Sequence, residues 1–515
     1  MSFTLRPYQV EAIEMAVSRR SLLIAMTMGS GKTATTIGTI MQLRAERKVT
    51  SGLVFALNST KYQWLREIKK VDPGARALVI DGDKRTRQTQ YRHAKRYHYV
   101  VLHYECLVND WEDIQKYCPL DFIVSDECTA IKSFVAKRSR RLKALGKRTQ
   151  YRYALSGQPV ENRPEELFSI MEFVDPNVLG TFVKFDRTFI VRDHFGRPTR
   201  YQNLKTLHAS MQGAMFRKSR EDIKEWLPEM VTMDIPVQLG PGTMVLHDRI
   251  KRDLLAALEE AVSSNSGFNL IAHYGKGPAG ASHVKGDVMS RLLALRMLAS
   301  HPQLLALSAD HFDDPESSQG SQYASDLKKQ GVLDHLPQES AKLDALMDLA
   351  EEILDEDPSF KLVVFSYFKP MLRIIGEVLT KKKIGFVTIT GDVVAGERDR
   401  RIQRFNNDPT CRVFLSSDAG AYGVDLNRGS HLVCYDLPWS AGVLQQRISR
   451  IDRTSSSFQS INVMYLVGKD TIEERMLGQL QQKMAVAGAF LDGKFDLATG
   501  SLPLDYQSLR EFLLG

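Results

Sequence analysis

The stretch LLIAMTMGSGKTATTIGTIMQL, residues 22–43, decides the fold. Its first five residues are continuously apolar, as in a strand buried on both faces, and the apolar positions after Thr33 recur with helical period. Between them stand two glycines, a lysine and a threonine. A strand, a glycine loop and a helix in that order form a cradle for phosphate. The glycines let backbone N–H groups close on phosphate oxygens, and the helix N-terminus adds its dipole. Met28, Gly29, Ser30 and Gly31 are expected to form the cradle, with Lys32 neutralising the β- and γ-phosphates and the Thr33 hydroxyl placed on Mg²⁺.

Working outward, the same kind of short apolar run recurs at 52–57, 77–80, 99–104, 121–126 and 153–157. Together with 22–26 these predict a parallel sheet covered by helices. The signal then stops. Residues from about 160 to 260 are predicted helical with aromatic anchors, and the polar stretch 307–340 is predicted to be a linker or insertion. Strand runs return at 361–367, 386–391, 411–417, 431–436 and 461–467 and predict a second parallel α/β lobe. Two such lobes across a helical spacer leave a cleft, and sites are expected where strand C-termini face it.

One such end is acidic. DFIVSD leads into Asp126-Glu127, where Asp126 is placed to hold the magnesium and Glu127 to polarise an attacking water.

Composition bounds the rest. The 515 residues suffice for several cores, and 69 Lys and Arg against 61 Asp and Glu leave a formal charge of +8, as expected where phosphate is a partner. The five cysteines are far apart and mostly within apolar runs, which predicts reduced core thiols and no structural metal. His103 and Cys106 lack a second pair at zinc-like spacing. The N-terminus carries no signal-like apolar run, and no stretch of about 18 apolar residues occurs, so an intracellular, soluble, membrane-free protein is expected, cytoplasmic or nucleoid-associated.

By this point the chain resembles the superfamily 2 helicases and, within them, the Swi/Snf-type DNA translocases. The loop matches the A-x-x-x-G-x-G-K-T variant, with Ala25 first. LRPYQ (5–9) resembles the family's adenine-recognition segment, implying Gln9 as an adenine contact. LNSTKYQWLREI (57–68), DECTAIKS (126–133), ALSGQPVENRPEELFSIMEFVDP (154–176), MFRKSREDI (215–223) and LRMLASHPQLL (295–305) each resemble further family segments. In the second half VVFSYF (363–368), the stretch from Thr390 to Phe405, SSDAGAYGVDL (416–426) and QRISRIDR (446–453) do the same.

The resemblance implies an α/β chain with two tandem RecA-like parallel-sheet lobes and helical insertions. The expected division is a first, ATP-binding lobe at 1–180, helical insertions and linker at 181–340, a second lobe at 341–482 and a tail at 483–515 packing on the lobes. It also implies nucleotide contacts from Gly423, Asp425 and Gln446. The four-then-three spacing of Gln446, Arg450 and Arg453 puts them on one helical face, with the arginines as fingers for transition-state charge. Expected cofactors are ATP and Mg²⁺, and the expected partner is DNA, double-stranded or branched, served by a monomeric motor. Basic runs at 84–96 and 137–148 are candidate DNA-facing segments.

Three residues depart from the family pattern: Thr129 for a histidine, Gln158 for a threonine and Asp425 for an asparagine. They predict altered coupling between nucleotide state and DNA grip, with the Gln158 amide reaching Thr129 as one restored link. The function expected is ATP-driven translocation on duplex DNA. The alternatives are a strand-separating DNA or RNA helicase and a nucleotide-switched DNA-binding scaffold.

Overall fold

The computed structural model describes residues 4–492 apart from 161–163, 193–197, 264–282, 315, 318–319 and 422. The apolar runs of the first half become β1 (Ser21–Met26), β2 (Gly52–Ala56), β3 (Ala77–Val79), β4 (Tyr99–His103), β5 (Phe122–Ser125) and β6 (Tyr151–Leu155). They lie in one parallel sheet of order β3-β4-β2-β5-β6-β1. Successive residues of a strand enter different cores: Leu23, Leu53 and Val100 pack on one face of the sheet, Leu22, Val54 and Val101 on the other. That two-sided burial is why these strands read as unbroken apolar runs.

The runs of the second half become β11 (Leu362–Phe365), β12 (Gly385–Ile389), β13 (Cys411–Ser416), β14 (His431–Cys434) and β15 (Ser460–Gly468), again all parallel. Three helices of the first lobe bear on the site: α1 (Pro7–Arg19), α2 (Lys32–Ala45) and α3 (Lys61–Val71).

The segment expected to be purely helical is corrected in four places. A hairpin of β7 (Ile190–Arg192) and β8 (Pro198–Tyr201) interrupts it. After it, β9 (Met215–Lys218) adds to β1 as the edge of the first sheet, and β10 (Glu229–Val237) pairs along all nine residues with β15 as the edge of the second. The chain therefore leaves one sheet and enters the other within about a dozen residues. β10 escapes a strand reading because most of its side chains are exposed, so no apolar run marks it. The polar stretch expected as a linker carries the helices Gln303–Asp313 and Gln322–Lys329, whose Leu304, Leu305, Ala324 and Leu327 join the core of the second lobe. Of the expected C-terminal tail, 493–515 lies outside the described residues; the helix Ile472–Leu491 precedes it.

A fully buried ion pair clamps this last helix. Lys342 Nζ lies 2.5 Å from Glu473 Oε2, with both side chains at most 2% exposed, and the Gly468 N–H donates to the same oxygen at 2.9 Å. Lys342→Met strands a carboxylate inside the protein, and a cost of about 3–5 kcal/mol to the second lobe is expected. Urea unfolding followed by circular dichroism checks it, and a midpoint equal to wild type refutes it.

Candidate nucleotide site and inter-lobe cleft

At the C-terminal end of β1 the chain turns through Gly29 (φ 76°) and Gly31 (φ 81°) into α2. Neither tolerates a side chain: a Cβ at Gly29 would sit 2.4 Å from the Asp452 carbonyl oxygen, and one at Gly31 2.4 Å from Gln9 Nε2. The loop is braced from α1. Tyr8 Oη and Gln9 Nε2 donate to the Ser30 carbonyl at 2.8 and 3.1 Å, while Gln9 Oε1 accepts the Arg6 N–H at 2.8 Å. Both ends of the Gln9 amide are thus engaged by the chain itself. Ser30 Oγ closes the turn on the Thr27 carbonyl, and Met28 packs against Gly157.

Lys32 Nζ donates to the Met26 and Thr27 carbonyls at 3.1 and 3.2 Å, which leaves one of its three protons directed elsewhere. Burial pushes its ammonium down from the usual lysine range, and the carboxylates of Glu127 and Asp126 oppose that shift. Thr33 follows in the first turn of α2, half-buried.

The acidic pair stands at the end of β5, two strands from β1 across β6. Trp64 Nε1 donates to Asp126 Oδ2 at 2.8 Å, and the Glu127 backbone N–H bears on the same carboxyl. Tyr104 Oη donates to the Asp126 carbonyl at 2.6 Å and meets Ser125 Oγ at 2.7 Å. Glu127 adopts φ 46°, a left-handed conformation uncommon for a residue with a side chain and of the kind held at functional sites. Both carboxyls are densely surrounded by protein. Burial pushes both up, the Asp126 charge adds to the rise at Glu127, and Lys32 and Arg450 pull Glu127 back. An acid pair held above the usual carboxylate range beside a lysine held below its own is short of charge compensation. Two neighbouring carboxyls offer the oxygen ligands that a hard cation takes, which fits Mg²⁺ there.

The opposite wall comes from the second lobe. Arg453 lies against the phosphate loop: its Cα and Cγ are 3.1 and 3.2 Å from where a Gly29 Cβ would stand. Thr454 Oγ1 donates to the Gly29 carbonyl at 3.2 Å. The Arg453 guanidinium donates to the Val424 and Ser449 carbonyls at 2.9 Å each and lies 3.6 Å from Asp425 Oδ1. Buried Arg450 reaches the Val424 carbonyl at 3.5 Å, and its charge is felt at Glu127. Gly423 packs on the first lobe, with Thr60 Cγ2 2.5 Å from its missing Cβ position.

Beside this site runs a cleft of about 1320 Å³ lined by Lys61, Tyr62, Arg66 and Arg138 of the first lobe and by Asp392, Arg398 and Gln446 of the second. Glu127 and Thr129 share its wall. Ion pairs cross between the lobes: Arg66 to Asp399 at 2.6 Å, and Arg220 to Asp452 at 2.9 Å.

Sequence reading missed several of these contacts. Trp64, which reads from sequence at least as readily as a core aromatic as a DNA contact, is a core aromatic, and its indole N–H also donates to Asp126. Tyr104, Arg220 and Thr454 carried no signal, because each acts through a residue distant in sequence. No hydrogen bond joins Gln158 to Thr129; the Gln158 N–H takes Ser156 Oγ at 3.1 Å. The basic runs divide by role. Arg87 is bound to Asp110, Arg141 to two carbonyls and Lys143 to Glu172, so much of their charge is structural. Arg138 alone of both runs lines the cleft. All five cysteines are buried thiols, and among the described residues no helix is long and apolar enough to cross a membrane.

A glycine loop on one parallel sheet, faced across a lobe boundary by arginines from a second, defines a two-lobed ATPase of the helicase type. A family model described as the SNF2-related domain matches residues 8–304, more than half the chain, and the helicase conserved C-terminal domain matches 341–455. The chain belongs to the SNF2-related family. It is 24% identical to the ATP-dependent DNA helicase DDM1 of Arabidopsis thaliana, over 99% of this chain and 65% of that protein. It is 25% identical to the ISWI chromatin-remodeling complex ATPase ISW1 of Saccharomyces cerevisiae, over 93% and 40%. With the DNA annealing helicase and endonuclease ZRANB3 of Bos taurus it shares 26%, over 95% and 41%. The chain therefore spans from two fifths to just under two thirds of these relatives. The Sulfolobus solfataricus SWI2/SNF2 ATPase core, solved in complex with dsDNA, aligns with 96% of this chain and 94% of that one at 25% identity and a TM-score of 0.43.

Proposed function

We propose that this chain is an ATP-driven translocase on double-stranded DNA. The observation that carries the reading is the meeting of the phosphate loop with the Arg453 segment at Gly29, beside a cleft that both lobes line. Nucleotide bound on Gly29, Gly31, Lys32 and Thr33 is contacted by both lobes at once, so its binding and hydrolysis close and open the cleft. Gln9 and Met28 flank the loop, and Gly423, Asp425 and Gln446 form the second lobe's share of the nucleotide wall. Thr33 and Asp126 would hold Mg²⁺, which screens phosphate charge when bound. Glu127 orients and polarises the attacking water. The one open Lys32 proton points to phosphate, and Arg450 and Arg453 supply positive charge as the terminal phosphate departs.

If each lobe grips the DNA backbone in turn, each cycle advances the protein along it. Such contacts carry little sequence information. The relatives DDM1, ISW1 and ZRANB3 carry names that place them on DNA or chromatin, which supports DNA as partner and an intracellular site. A single-chain motor suffices, because both walls of the nucleotide site come from one polypeptide.

Duplex tracking without strand separation is the expected outcome. ATP-dependent displacement of a third strand from a triplex is expected, while a simple tailed duplex stays paired under the same conditions. Efficient unwinding of the tailed duplex without triplex displacement favours the strand-separating reading, and ATP binding without turnover on any DNA favours the scaffold.

A further inference from the structure

The helix α3 faces three ways. Trp64 and Ile68, at helical spacing, form its buried face; Tyr62, Leu65 and Arg66 line the inter-lobe cleft, and Lys61, itself buried, reaches the cleft as well. At its N-terminal end Thr60 and Gln63 meet Gly423, and Arg66 pairs with Asp399 of the second lobe at 2.6 Å. On the buried side the indole of Trp64, 2% exposed, spends its one hydrogen bond on Asp126 Oδ2 at 2.8 Å. Asp126 is thereby oriented by a residue 62 positions earlier whose own helix forms part of the cleft wall.

This link matters because another is missing. Thr129 and Gln158 share no direct hydrogen bond, so the link expected between them is not made by direct contact. A helix of eleven residues moves as one body, and any displacement of its cleft face by DNA or by the second lobe displaces the indole N–H from the carboxylate. Asp126 Oδ2 is held by that N–H, the one side-chain hydrogen bond on the carboxyl among the described residues, so the indole helps set its orientation. Partners that orient a metal-binding carboxylate tune its affinity for the ion.

We propose that Trp64 is a positioning residue for Asp126, and that α3 ties occupancy of the inter-lobe cleft to the geometry of the metal-binding carboxylate. The inference rests on the nucleotide-site reading above. It names a buried residue that does not line the cleft.

Trp64→Phe keeps an aromatic ring in the core, trims its size and removes the donor. In the full chain it is expected to raise the Mg²⁺ concentration for half-maximal ATPase about tenfold or more. The factor by which duplex DNA stimulates turnover falls with it, while KM for ATP at saturating Mg²⁺ and the melting temperature stay near wild type. A folded Trp64→Phe protein with wild-type Mg²⁺ requirement and wild-type stimulation overturns the proposal. Wild type that duplex does not stimulate at all counts instead against the translocase reading.

A second measurement needs no change at Trp64. Replacing Trp111, Trp226 and Trp439 by Phe leaves Trp64 as the sole indole of the four in the chain. Its emission is expected to shift on addition of Mg²⁺ with ADP and to shift again when duplex DNA follows. Emission that ignores both additions overturns the proposal, even should Trp64→Phe fail to fold.

Discussion

Glu127→Gln is expected to bind ATP and duplex DNA and to hydrolyse essentially nothing, and Lys32→Ala to lose hydrolysis together with nucleotide affinity. The two failures differ in cause. Glutamine keeps the shape of the Glu127 side chain but cannot polarise water or accept its proton, a role worth about 10²–10⁴ in rate. The rise in the Glu127 carboxyl caused by burial and by neighbouring Asp126 makes it a better proton acceptor than an exposed glutamate. Lys32 contributes charge instead: its ammonium is anchored by two loop carbonyls and held low by burial, so a polyanion entering the loop restores the environment an ammonium needs. Single-turnover phosphate release with and without duplex, beside binding of a fluorescent ATP analogue, separates the two. Turnover of Glu127→Gln at the wild-type rate would sink the assignment of this acidic pair.

Much of this arrangement was legible before any coordinates, for a physical reason. Strands buried on both faces must be apolar throughout, so all eleven runs marked in the sequence became strands of the two sheets. The glycine loop was legible because positive φ values at Gly29 and Gly31 and a close approach at each leave glycine as the residue type that fits. The edge strands were not. β9 is four residues long, and β10 exposes most of its side chains while spending its backbone on β15, so neither leaves a periodic mark. The second layer of the site stayed hidden as well. That Trp64 belongs to Asp126 and Thr454 to Gly29 depends on how distant segments fold together, and an indole bonded to a carboxylate has the same local sequence as one packed on a leucine.

Of the three departures from the family pattern, Asp425 is the one that stands against an arginine of the site. It stands 3.6 Å from Arg453, whose backbone and side chain lie against the phosphate loop, and places a negative charge beside a group proposed to meet one. Even so, Arg453 is held by two carbonyls of its own lobe and lies against Gly29, poised rather than withdrawn. Arg450 sits deeper, 7% exposed, with its charge felt at Glu127. In the proposed reading neither arginine holds ground-state phosphate, which falls to backbone N–H groups, Lys32 and Thr33. Arg450→Ala and Arg453→Ala are therefore expected to leave nucleotide affinity within a few-fold of wild type while lowering kcat by about a thousandfold or more, the range for a charge supplied only in the transition state. Affinity measured by equilibrium titration of the fluorescent analogue, set against kcat from steady-state turnover on duplex DNA, gives the two numbers directly. Losses of equal size in affinity and in turnover would place these residues among the ground-state contacts and remove the finger role, because uniform binding energy lost from both states cannot single out the step in which the phosphate departs.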